Sequence, residues 1–224
     1  MNTVKKALSV WCDKAWLAAV YALGLAALAV LVFNWGNLSA AERIAWALAV
    51  GIPMHVFEEN TWPGGFFYMN NLSFGSQEPL VYPQNRATNM VTNLGAEIVF
   101  VLIAVRADAL GATAVTVAVF FGFVELLNHT REGIGMHRRF KDKGKRTIYA
   151  PGEATSLLAL APLSVFGIVW LANNAFEWTQ VLAGLGICLG VAVLLIIVPF
   201  AFNLRVKSKT FAFKDAGYFE KYLG

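Results

Sequence analysis

Three short clusters in this chain gather the residue types that hold metal ions or move protons. They are His55-Val56-Phe57-Glu58-Glu59, Glu125-Leu126-Leu127-Asn128-His129 and Pro151-Gly152-Glu153-Ala154-Thr155. On a helix, His55 faces Glu58 at i,i+3 and Glu59 at i,i+4, and Glu125 faces His129 at i,i+4. Imidazole nitrogen with carboxylate oxygen suits zinc, iron or manganese and argues against a thiolate-loving metal. His55, Glu58, Glu125 and His129 are therefore expected to hold one or two divalent ions, with Glu153 as a further ligand or proton donor. Glu59 or Glu97 would serve as general base on a metal-bound water, whose pKa the ion lowers towards neutrality.

Other polar residues could line such a site. Asn89, Asn93 and Glu97 recur at i, i+4, i+8 and form a stripe on one helix face. Asn128, Thr155 and the aromatic Trp62 complete the set expected to support ligands or substrate. Glu97 lies deep in an apolar run, where an unpaired carboxylate costs on the order of 3 kcal/mol. Glu132, next to Arg131, reads as a solvated loop charge, and His137, beside Arg138 and Arg139, as exposed or touching headgroups.

The elements that must position these residues are membrane helices. The 224 residues are 58% hydrophobic and only 14% charged, with a mean hydropathy of +0.57. Soluble domains carry about a quarter charged residues, so a soluble globular class is excluded. The net charge of +4 comes from basic residues in loops beside apolar runs. That placement fits anionic lipid headgroups, above all along the basic loop, and argues against nucleic acid. Cys12 and Cys188 are far apart and have no CxxC or Cys/His spacing, which excludes a disulfide framework or a zinc finger.

The pattern predicts an all-α polytopic bundle of about six transmembrane helices, at about 15–33, 41–57, 88–105, 109–129, 150–172 and 181–202. Five spans plus a re-entrant piece is the alternative. A basic segment, 1–14, precedes this single domain of 15–203, and a basic, aromatic tail, 204–224, follows it. Ser39-Ala40-Ala41-Glu42 has capping-box spacing, and Pro53 would kink or end the second helix. The aromatic connection 60–87 reads as a headgroup-level anchor or a lid, and 131–150 as a strongly basic loop. Six spans put the amino terminus, that connection, the basic loop and the tail on one side, which the positive-inside rule makes cytoplasmic. The expected place is a bacterial inner membrane. His55, Glu125 and Glu153 then gather at its cytoplasmic side.

Two His/Glu pairs on separate helices are similar to the inward-facing ligand sets of bundle metal sites. In order and type, the three clusters also resemble a family of integral membrane proteins named for an HxxEE motif. The likeness covers roughly 41–172 and rests on His55-Val56-Phe57-Glu58-Glu59, a later Glu/His motif, and Pro151-Gly152-Glu153-Ala154-Thr155. Where the family's middle motif is closer to Asn-Glu-x-x-His, this chain has Val124 before Glu125 and Asn128 before His129. The resemblance implies a multi-span membrane protein and no settled activity. A weaker similarity, to sterol isomerases of the emopamil-binding type, uses only His55 and Glu59 as a His-x-x-x-Glu pair.

Three functional classes stay open. The first is a metal-dependent enzyme, expected to be a hydrolase, acting on a lipid-like or membrane-partitioned substrate; a di-iron oxidoreductase is its variant with the same ligands. The second is a metal-free acid–base isomerase or cyclase, in which Trp62 or Phe66 would stabilise a developing cation. The third is a metal or proton transporter.

Overall fold

A computed structural model describes residues 3–224, the side chain of Lys5 excepted. Met1 and Asn2 of the expected basic N-terminal segment lie outside the described residues. Among those described there are helices and no strands. Seven helices organise the chain: α1 (Lys6–Phe33), α2 (Ala40–Asn60), α3 (Phe66–Ser73), α4 (Arg86–Val105), α5 (Ala112–Lys143), α6 (Glu153–Asn173) and α7 (Trp178–Val206). Five of them, α1, α4, α5, α6 and α7, are long and apolar enough to cross a membrane.

The helix expected as the second span, α2, is not among those five. Its 21 residues reach about 31 Å, enough for a bilayer core of about 30 Å. It fails on composition because Glu42, Arg43, His55, Glu58 and Glu59 ride on it. It can carry them because α1, α4, α5 and α6 all pack around it. Ile44, Ala45, Leu48, Ala49, Ile52 and Val56 bury its apolar positions. The α7 helix is the opposite case, with only 11% of its most apolar stretch buried. Leu182, Leu189, Leu194 and Phe202 point outward, as a lipid-facing helix requires.

Local chemistry sets the helix ends. Ser39 accepts from the Glu42 amide, and the Glu42 carboxylate accepts from the Ser39 amide, closing the expected capping box. Pro53 neither ends nor breaks α2, which continues to Asn60. The pyrrolidine is accommodated because α1 has glycine opposite, where a Cβ on Gly24 would sit 2.6 Å from the Pro53 ring. The fourth expected span proves much longer than its apolar run. Gly133 and Gly135 keep helical backbone, and α5 runs on past His129 until Gly144, at φ +90°, so much of the expected basic loop is helix. Its basic residues are not all exposed either. Lys145 is buried, its ammonium donating to the Tyr149 carbonyl and lying 5.0 Å from the Tyr218 ring.

The aromatic connection is also more ordered than its sequence suggests. It contains α3, which packs with the tail into a second apolar cluster. Phe67 stacks on Phe213 at 3.4 Å, and Tyr68 meets Phe219. Arg86, at the start of α4, donates to the Ser9 carbonyl near one chain end and to the Thr210 and Ala212 carbonyls near the other.

Candidate metal centre

Near its end, α2 presents two faces. His55 and Glu59, one turn apart, face α5, while Glu58, about 100° round the helix, faces the start of α6. On α5, Glu125 and His129 are likewise one turn apart and meet the first pair. Glu59 Oε1 lies 3.4 Å from His55 Nε2 and 3.3 Å from His129 Nε2. Glu125 Oε2 lies 3.7 Å and 3.3 Å from the same two nitrogens. Nitrogen and oxygen thus alternate round a four-membered ring of donor atoms. In tetrahedral coordination with bonds of ~2.0–2.1 Å, neighbouring donors are separated by about 3.3–3.4 Å. Ligand atoms of His55, Glu59 and His129 all fall within 4.8 Å of one another, so this buried group could hold a metal ion.

The surroundings fix how the imidazoles are presented. Thr155 Oγ1 lies 2.6 Å from Glu58 Oε2, which as a carboxylate can only accept, so the hydroxyl proton points there. The Thr155 oxygen must then accept from His55 Nδ1, 2.8 Å away, and Nδ1 carries a proton. Nε2 is left facing the two carboxylates. His129 is 0% exposed, and neither of its ring nitrogens has a hydrogen-bond partner among the described residues. Its ring is held edge-on to His55 at 4.7 Å and against Phe66 at 4.9 Å. Gly152 closes the third side. Its φ of +94° suits glycine, and a Cβ there would lie 2.0 Å from His129 Cε1.

The Pro-Gly turn therefore does two jobs. It lets the backbone approach His129, and it aims the first amides of α6 at Glu58. The Glu58 carboxylate accepts from the Ala154 and Thr155 amides at 3.1 and 2.8 Å, the arrangement favoured at a helix N-terminus. Glu58, expected among the ligands, is instead engaged by donors at both oxygens, and Glu59, expected as a base, stands in the donor ring. Adjacent positions on a helix face different neighbours, and only the packing of α5 and α6 shows which is which.

The remaining expected residues separate. Glu153 accepts from Thr130 through one oxygen, and its other oxygen is buried with no hydrogen-bond partner among the described residues. Glu97 is 0% exposed with both oxygens unpartnered among the described residues, yet it lines no part of the cavity that adjoins the His/Glu ring. Asn89 and Asn93 bond to each other and, through Asn89, to Asn60 and Gln84, an amide network whose Asn93 and Gln84 line the cavity beside the His/Glu ring. Asn128 lines the cavity. Trp62 is 74% exposed and lines a different cavity, with Glu58 and Thr155.

That cavity, of about 280 Å³, is bounded by His55, Glu59 and Glu125. Glu132 also lines it, only 3% exposed and with no hydrogen-bond partner for Oε2 among the described residues, and this overturns its reading as a solvated loop charge. The sequence did hold a clue, since Glu132 is seven residues after Glu125 and three after His129, on the same helix face. It is hidden because the apolar run stops before it.

An all-helical integral membrane protein, with two histidines and two glutamates enclosed among its helices, is what the fold and this group define. The chain belongs to the family described as a protein of unknown function with HXXEE motif, which matches residues 46–167. That match contains all three clusters. No curated protein matches the chain, so the likeness to sterol isomerases has only His55 and Glu59 behind it. No solved structure matches it either.

Proposed function

We propose that the protein is a metal-dependent membrane enzyme, a hydrolase acting on a lipid-like substrate, of the bacterial inner membrane, with its site towards the cytoplasmic side and its basic residues near anionic headgroups. One observation carries the reading. Ligand nitrogens of His55 and His129 and a Glu59 carboxylate oxygen lie buried within 4.8 Å of one another, with Glu125 Oε2 3.7 and 3.3 Å from the two nitrogens and no hydrogen bond to His129 among the described residues. His55, Glu59 and His129 hold one divalent ion, with Glu125 as the fourth ligand, and a nitrogen/oxygen set of this kind favours zinc.

A divalent ion supplies Lewis acidity there, polarising a substrate oxygen or acidifying water. The chain's own groups do the rest. Thr155 and Glu58 hold His55 in the orientation that aims Nε2 at the centre. Glu132, buried beside the cavity, takes the proton from water and returns it to the leaving group. Phe66 and Gly152 exclude solvent from His129.

The test is metal analysis of detergent-purified protein. About one zinc per chain is expected, lost in His129→Ala while the fold is retained by circular dichroism. Folded protein that never acquires zinc, iron or manganese would return the site to metal-free acid–base chemistry.

A further inference from the structure

One face of α5 changes character along the cavity. Phe121, Val124, Glu125, Asn128, Arg131 and Glu132 all line it, following the i, i+3, i+4 spacing of a single helical stripe. The stripe starts apolar, passes the ligand carboxylate in its middle, and ends in an amide and charged groups. Val191 of α7 lines the cavity too, and the pairing of Gly184 with Thr116 and of Cys188 with Val117 sets it near the apolar end. Val124 is both a cavity wall and 42% exposed on the outer surface, so this end opens towards lipid. At the other end Arg131 is exposed and makes no hydrogen bond or ion pair among the described residues. The α5 backbone rises about 9 Å from Glu125 to Arg131.

Charge runs the same way. A divalent ion would offset Glu59 and Glu125, which leaves Arg131 and Glu132, neighbours on α5, as the charged groups at this end of the described lining. The volume sets a limit, since about 280 Å³ lies just under the ~300 Å³ lower end of ordinary ligand sites. That is too small for both chains of a two-chain lipid.

We infer that the cavity binds a single-chain amphiphile with an anionic oxygen head, the head at Arg131 and the chain leaving past Val124 towards the bilayer. This rests on the metal-site reading for what happens at the join of head and chain, where His55 and Glu125 stand. The geometry of the stripe stands without it.

The experiment places the full chain in phosphatidylcholine nanodiscs and measures equilibrium binding of dodecyl phosphate, with dodecanol and inorganic phosphate as controls and metal content recorded for every sample. Dodecyl phosphate should bind one per chain, and each control at least tenfold more weakly. Arg131→Gln should weaken it about tenfold or more, as loss of a charge-assisted contact does. Val124→Trp, which fills the lipid end, should weaken dodecyl phosphate and leave inorganic phosphate unchanged. Inorganic phosphate binding as tightly as dodecyl phosphate, or full affinity in both variants, overturns the inference even where metal is present. Arg131-dependent binding in metal-free protein upholds it and overturns the metal reading instead.

Discussion

Two faces of the same helix turn end in adjacent, buried carboxylates with different company. Glu58 meets two backbone amides and a hydroxyl, donors that engage both of its oxygens. Glu59 meets two imidazole nitrogens at 3.3–3.4 Å. The difference teaches how to separate the part of a motif that builds from the part that acts. A carboxylate whose oxygens both accept from the fold is part of the frame; one facing only other ligand atoms is open to an ion.

The sharpest way to break this comparison is to neutralise each acid in turn. Glu59→Gln removes a donor from the ring, and zinc affinity should fall on the order of a thousandfold, read by competition with a chelator. Glu58→Gln should cost about 10–100-fold by the same measurement, because it disturbs the Thr155 link that orients His55. Equal losses would mean that the two faces do not differ. Glu97→Gln sharpens the contrast from outside, since among the described residues Glu97 meets no hydrogen-bond donor and stands outside the His/Glu group. Metal content should stay within twofold of the parent.

The smallest effect lies behind Glu58. Tyr149 is pushed up by burial and by the Glu58 charge beside it, and its carbonyl receives the Lys145 ammonium. Burial lowers Lys145 to about 8, with Lys221 adding repulsion. Its folded value lies below the ordinary 10.5, so between these limits the unfolded chain holds more of the proton and stability rises with pH. Melting temperature should climb slightly from pH 8 towards 10, and Lys145→Met should flatten that rise. Above pH 10 the buried phenols of Tyr149 and Tyr218 reverse the trend, because their raised values favour the unfolded chain as they ionise.

Much of this was legible in the sequence for plain reasons. Apolar runs of bilayer length gave the five membrane helices, and the polar residues riding on α2 marked it as the helix that carries the site. The order of the three clusters told which helices meet. What stayed hidden depended on helical phase and helix length. Glu58 and Glu59 are indistinguishable until α5 and α6 are placed. Glu132 looked solvated because polarity was taken as the end of α5, while the helical backbone continues through Gly133 and Gly135 until Gly144. Glu97 looked catalytic for its depth alone, and depth does not give direction.

Arg86 carries one last consequence. A single guanidinium holds Ser9 and also Thr210 and Ala212, so the chain leaves and re-enters the same neighbourhood. The segment ahead of α1 and the segment behind α7 are thereby tied together through the first turn of α4, so a change at that one guanidinium reaches both ends of the described chain.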